Sequence, residues 1–283
     1  MLVESLFACA LMAAQPPPAL PDQLVLSVVV TDKKGKPIPD LTAAEVTVKE
    51  GSASQPVTRL EADTRPLDVA LVLDTSGNIG STYASDVVPA ALEFIKRLPH
   101  GARYAIWTTT DRPKVLIEMG AATDLKATEE RLRSTPTLGN NAAVETIVAA
   151  SQEAAKAEGR RAAVVLVTSA TMGDVTTDVQ ALLPQASLRP TYIAVEFVQG
   201  GGQGDARLED SIKLLVGRTA GFHERVFSAM AIDTQLRKAI DLLGGQYRLS
   251  WKPQIDPRQT KIEVKVNRKD AKVIQAQRLS TAW

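Results

Sequence analysis

Apolar positions along this 283-residue chain change their period twice. Between residues 24 and 62 they mostly alternate. Leu24 to Thr31 reads as a strand, Asp32-Lys-Lys-Gly35 as a turn, and Val46-Thr-Val48-Lys as a half-buried strand that returns over Val57 to Leu60 after Glu50-Gly51. Thr42-Ala-Ala-Glu45 matches a capping box over a single helical turn. So few strands cannot stand as a sheet alone, and the segment needs partners from elsewhere in the chain.

From Leu67 the pattern becomes short, continuous apolar runs alternating with helical spacing. Leu67 to Leu73 has the composition of a strand buried on both faces, and it stops at Asp74. A helix follows, with Val87, Val88, Ala91, Leu92, Ile95 and Leu98 on one face and Ser81 or Thr82 as its cap. Tyr104–Thr109 and Val115–Ile117 read as a hairpin turning at Asp111-Arg-Pro113, and Leu125–Leu132 as a helix. Past the polar loop Thr137–Asn141, a helix turns Val144, Ile147, Val148 and Ser151 inward. Ala162–Val167 and Thr191–Val198 are buried strands; Leu208–Val216, ended by Gly217 and Gly221, is a helix, and Leu236, Ile240 and Leu243 mark the last one. This alternation predicts a mostly parallel sheet covered on both faces.

After Gly244-Gly245 the period returns to two, with Tyr247, Leu249, Trp251, then Ile262, Val264, Val266, then a strand over Val273–Leu279. The predicted organisation is a doubly wound α/β domain, residues 65–245, inserted in a smaller β-sandwich formed by residues 23–64 and 246–283. Residues 1–22 read as a signal peptide and linker, because Leu6–Ala14 is apolar and ends in small residues before Gln15 and a Pro-rich spacer. No Lys or Arg precedes that run, as a start site assigned too far downstream would explain. The expectation is export, to the periplasm or beyond, with a mature chain beginning near Gln15. Leu6-Phe-Ala-Cys9 has the outline of a lipoprotein box, but the bulky Phe7 and the short preceding segment argue against lipidation.

Composition narrows the function. With 33 basic and 32 acidic residues and 4% aromatics, neither a general pull on nucleic acid nor a base-stacking platform is indicated. The basic run 252–278, eight Lys or Arg against three acids, reads as solvated faces and charged sheet edges. No run reaches the ~20 apolar residues of a membrane span. One cysteine excludes an internal disulfide, and two histidines, His100 and His223, leave little for His-based chemistry.

The candidate chemistry sits where the first buried strand ends. Ligands of open α/β sheets bind at the carboxyl ends of the strands, and Asp74-Thr-Ser76-Gly-Asn78 resembles the Asp-x-Ser-x-Ser motif of von Willebrand factor type A domains. The resemblance extends over nearly the whole chain, to exported bacterial proteins in which a β segment precedes such a Rossmann-like domain and strands follow it. It implies a metal-ion-dependent adhesion site built from three loops, holding Mg²⁺ or Mn²⁺ with oxygen ligands and leaving one position for a carboxylate of a protein partner. Asp74 and Ser76 match that pattern. Asn78 stands where Ser is usual, Asn141 where Thr is usual, and Ser169 where a second Asp is usual. Losing that carboxylate predicts weak or absent cation binding, unless Asp174 or Asp111 supplies the missing ligand.

Other motifs lack their partners. Asp74-Thr-Ser-Gly77 has no phosphate-cradling loop before it, and a phosphatase of the haloacid dehalogenase type needs an acid where Ser76 stands. Gly200–Gly204 lacks dinucleotide-loop spacing. The leading expectation is a non-enzymatic module that presents its carboxyl edge to a protein partner. The alternative is a hydrolase using Asp74 or a nearby serine, such as Ser76 or Ser169, with His100 or His223.

Overall fold

The computed structural model describes residues 20–169, 179–198 and 205–280; the leader-like segment with Cys9, Asp174 and the Gly200–Gly204 loop lie outside them. At the amino end the alternating pattern becomes β1 (Leu24–Thr31), β2 (Val46–Glu50), β3 (Ala53–Pro56) and β4 (Arg59–Ala62). Residues 43–45 form the expected single turn, with the Glu45 carboxylate accepting from the Thr42 N–H at 3.0 Å. The return over Val57–Leu60 is not one strand. At Thr58 the chain crosses between sheets, so that β3 pairs with β2 while β4 pairs elsewhere.

The α/β region runs β5 (Leu67–Asp74), α1 (Val88–Lys96), β6 (Arg103–Thr109), β7 (Pro113–Ala121), α2 (Leu125–Arg133), α3 (Ala143–Ala154), β8 (Arg161–Thr168), α4 (Val179–Leu182), β9 (Thr191–Phe197), α5 (Ala206–Thr219), β10 (Phe222–Val226) and α6 (Ala231–Gly244). Its six-stranded sheet has the order β10-β9-β8-β5-β6-β7, parallel except for β7, which closes a hairpin with β6. Every residue of β5 is buried. Alternate side chains serve opposite layers: Leu67, Val69, Leu71 and Leu73 pack with α1 and α6, while Ala70 and Val72 face α3 and α5. The same parity directs Asp74 toward the layer of α3.

Three local expectations are corrected. Neither Ser81 nor Thr82 caps the first helix through its side chain; a wider π turn over Tyr83–Val87 leads into α1 and buries both Tyr83 and Val87. Helix α5 runs through Gly217 and ends at Ala220, which takes the left-handed conformation at φ 61°. Gly221 has a different task, since a Cβ there would lie 1.6 Å from the Tyr192 carbonyl oxygen. The third is β10, absent from the pattern because His223, Glu224 and Arg225 interrupt it. It is an edge strand, where polar side chains are tolerated.

After α6 come β11 (Gln246–Trp251), β12 (Ile262–Val266) and β13 (Lys272–Gln275), the last shorter than its apolar pattern. The terminal segments interleave. One antiparallel sheet has the order β13-β1-β11-β4 and a second β12-β2-β3. Leu24, Leu26, Val28 and Val30 of β1 pack with Tyr247, Leu249 and Trp251 of β11 against Val46, Val48 and Val264 of the facing sheet. Trp251, fully buried, donates from Nε1 to Glu50 Oε1 at 2.8 Å, joining the two sheets across 201 residues of sequence. Val29 points the other way and joins the core beneath α6.

Candidate functional site

Four of the five sequence-derived site residues meet at the carboxyl end of β5. Asp74 is fully buried, and its carboxylate is a point of convergence. Oδ2 accepts from the Ser169 N–H at 2.8 Å, Ser169 Oγ at 2.9 Å, Asn141 Nδ2 at 3.1 Å and Thr168 Oγ1 at 3.3 Å. Oδ1 accepts from the Ser76 N–H at 2.8 Å, with Thr109 Oγ1 at 3.5 Å. Asn78 is exposed on the turn that follows. Thr109 and Thr168, both fully buried, are members of the site that the motif did not name. Their signal was present, since each is a hydroxyl ending an apolar strand that neighbours β5.

Backbone bonds lace the loops together around this carboxylate. Leu138 N–H donates to Thr75 O at 2.9 Å, Gly77 N–H to Gly139 O at 3.1 Å, and Ala142 N–H to Thr110 O at 2.9 Å. Asp111, the exposed acid of the β6–β7 turn, accepts from the Asn140 N–H at 2.9 Å. Gly139 sits at φ +75°, and a Cβ there would come within 2.8 Å of Asp111 Oδ1, so this loop closes only around glycine.

This donor set does not fit a hard divalent cation. Such ions are held chiefly by carboxylates, and the convergent residues supply one, whose oxygens already accept N–H and O–H donors on both sides. Asn141 turns its amide nitrogen, not its oxygen, toward Asp74; the reversed amide would set two acceptors against each other. Three buried neutral oxygens, Thr75 Oγ1, Ser76 Oγ and Asn141 Oδ1, have no hydrogen-bond partner among the described residues, but none carries charge. Among the described residues no three His, Cys, Asp or Glu side chains are grouped as metal ligands. Asp111 is held by the Asn140 backbone, and Asp174 lies outside the described residues.

Nor do the histidines reach the serines. His100 precedes β6 at the opposite edge of the sheet, the length of a seven-residue strand from Asp74, or roughly 20 Å. His223 lies on β10, three strand spacings from β5, or roughly 14 Å. Its Nε2 contacts Glu196 Oε2 at 3.0 Å.

That contact belongs to a charged cluster farther along the same edge. Burial opposes ionisation of Glu196, yet hydrogen bonds from His223 and Arg225 outweigh it and hold the carboxyl below its ordinary range. A carboxyl lowered on folding adds stability above its unfolded pKa and loses it as pH falls through the folded value. Unfolding measured against pH should therefore show a stability loss setting in below about pH 4.5 and growing with acid, and Glu196→Gln should flatten that part of the curve. An unchanged acid limb in the variant would contradict the assignment.

Comparison with known proteins places this geometry. The family model described as von Willebrand factor type A domain matches residues 68–238. A search of curated proteins by sequence finds no match. Among solved structures, a von Willebrand factor type A protein from Catenulispora acidiphila is similar at TM-score 0.54 and 11% identity, over 94% of this chain and 75% of that one. The proximal thread matrix protein 1 of the mussel byssus, with a zinc-occupied MIDAS motif, is similar at 0.52 and 14%, over 69% and 49%. The ArnB paralog VWA2 from Sulfolobus acidocaldarius is similar at 0.51 and 12%, over 75% and 53%. The chain thus spans three quarters of the first and about half of the other two. At these identities the likeness is one of fold.

Proposed function

Since the chain belongs to the von Willebrand factor type A domain family, we propose that it is an exported interaction module that engages a protein partner at the carboxyl edge of its six-stranded sheet, without a bridging metal. The observation that carries this reading is the collection of exposed apolar side chains at that edge. Leu138, in the loop before α3, is 51% exposed; Phe227 and Met230, in the turn after β10, are 72% and 82% exposed. Large apolar groups exposed along one edge favour contact with a partner. The Asp74 network suits this role by holding the loops rigid, so that little ordering entropy opposes association. In place of an ion that captures a partner's carboxylate, the edge offers apolar contact and backbone loops. The hydrolase alternative lacks support, because neither histidine stands near Ser76 or Ser169 and the Asp74 carboxylate beside them is taken up by N–H and O–H donors on both oxygens. Nor does any helix among the described residues have the length and apolarity to cross a membrane.

The test is affinity capture from an extract of the native host, with EDTA present throughout. A partner held by the native chain should be held about tenfold more weakly by Phe227→Ser/Met230→Ser, at an unchanged melting temperature. Equal capture by both proteins would remove the edge from consideration, and capture abolished by EDTA would restore a metal-dependent reading.

A further inference from the structure

The carboxyl end of α6 borders a groove that the partner edge does not explain. Helix α6 starts beside the exposed Met230 and runs for 14 residues, roughly 20 Å, to the opposite end of the α/β sheet, where Leu243 O accepts from Arg161 at the start of β8. There Ile240, Asp241 and Gly244 of the helix face the loop carrying Pro37 and Pro39, with Ala62 at the end of β4 beside them. The space between is about 480 Å³, within the range of small-ligand pockets.

The walls of the groove are fixed before any ligand arrives. Tyr247 Oη donates to Ile38 O at 2.9 Å and accepts from the Leu41 N–H at 3.2 Å, while the Ile38 N–H donates to Val30 O at 2.8 Å. These bonds tie the proline loop to β11 and β1. Pro37 lies so close to Gly245 that a Cβ on that glycine would come within 2.1 Å of the Pro37 Cβ. Gly244, by contrast, would carry a Cβ into open space. Two opposite charges line this mostly apolar groove, and neither is engaged. The Lys36 N–H donates to Asp32 Oδ1 at 2.9 Å, but the Lys36 ammonium has no hydrogen bond or ion pair among the described residues, and the same holds for the Asp241 carboxylate. They do not pair with each other, so a ligand can meet both. Asp241 stands in the last turn of α6, where the carbonyl end of the helix also favours a positive group.

We propose that this groove binds a small zwitterion with an apolar side chain, a free amino acid or a dipeptide. Its carboxylate is met by Lys36, its ammonium by Asp241 and the carbonyl end of α6, and its side chain by Pro37, Pro39 and Ile240. A ligand of single charge would be attracted by one of the two charged groups and repelled by the other, whereas a zwitterion satisfies both. Walls already held by hydrogen bonds lower the ordering cost of binding. The site shares no residue with the carboxyl edge, so it stands or falls independently of the partner reading.

Calorimetric titration with leucyl-leucine and with free leucine, at constant ionic strength, tests it. One saturable site is expected, accompanied by a rise in melting temperature with ligand concentration. Lys36 and Asp241 are exposed and should tolerate replacement. Lys36→Gln and Asp241→Asn should each weaken binding about tenfold, at an unchanged melting temperature without ligand. Gly244→Leu fills the groove from a position with room for a side chain, and should abolish binding. Lys126→Ala, on α2, should leave affinity as it is. The two ligands separate the sources, tighter binding of leucine indicating a free amino acid and equal or weaker binding the dipeptide. N-acetyl-leucine amide, which lacks both charges, should not bind. The proposal is overturned if neither ligand gives saturable heat at millimolar concentration, if the capped compound binds as well, or if both charge variants bind unchanged.

Discussion

Asp74→Ala should destabilise the protein by about 3–5 kcal/mol, the scale of removing one partner from a buried, charge-assisted hydrogen-bond network. The carboxylate accepts from Ser76, Asn141, Thr168 and Ser169, and more distantly from Thr109, and all of these groups are buried. Alanine leaves them without an acceptor in a space from which water had been excluded. Each orphaned donor costs about 1–3 kcal/mol, and partial relaxation or water entry keeps the total below the full sum. For a chain of this size the melting temperature should fall by roughly 10 °C. Asp74→Asn should cost less, because it keeps one oxygen, but its NH₂ must face one of the existing donors. Urea denaturation of the three proteins measures the series. A loss below about 1 kcal/mol for Asp74→Ala would mean that the loops hold together without the carboxylate.

Ser169→Asp is expected to be the second large perturbation, and its sign depends on the solution. Ser169 Oγ lies 2.9 Å from Asp74 Oδ2 and its residue is 6% exposed, so the substitution places a second carboxylate against the first in a dry site. Two carboxylates so placed cannot both ionise freely. Raising one pKa by about two to three units corresponds to about 3–4 kcal/mol lost near neutral pH in the presence of EDTA. Mg²⁺ or Mn²⁺ should then recover much of the loss in the variant, by supplying the charge that two anions and the neutral oxygens of Ser76 and Asn141 can surround. The native protein should show little response to either ion. If Mg²⁺ stabilises the native protein as much as the variant, the hydrogen-bonded reading of Asp74 is wrong. If the variant is as stable as the native protein in EDTA, residue 169 does not face Asp74.

Much of the fold was legible because it is written in short-range patterns. The uninterrupted apolar run of β5 could be satisfied only by cover on both faces, and the return to alternation after Gly245 required strands resembling those before Leu67. What failed was also local in cause. β10 carries polar side chains that an edge position tolerates, and the break at Thr58 separates strands that leave for different sheets. Gly217 and Gly221 both resembled helix stops, yet the left-handed residue is Ala220, and Gly221 is kept small by the Tyr192 carbonyl.

By itself, then, the sequence determined the order of elements apart from β10 and the split at Thr58, the family, and the placement of Asp74 at the carboxyl end of a buried strand. Period, run length and a strand-ending acid act within a few residues, so they survive without knowledge of the fold. What the Asp74 carboxylate does with its lone pairs was a tertiary decision. Asn141 and Ser169 lie 67 and 95 residues away, and only the convergence of their loops turned N–H and O–H groups onto both oxygens, leaving little room for a cation to be held. The pocket at the amino edge of the sheet is of the same kind. Arg65, Arg161, Arg189, Arg248 and Arg278 are scattered along the chain, and they line one pocket together with Asp63 only when the terminal strands close over that edge. Electrostatic and hydrogen-bonding groups act through space over a few ångströms, and no pattern in sequence spacing encodes which of them will meet.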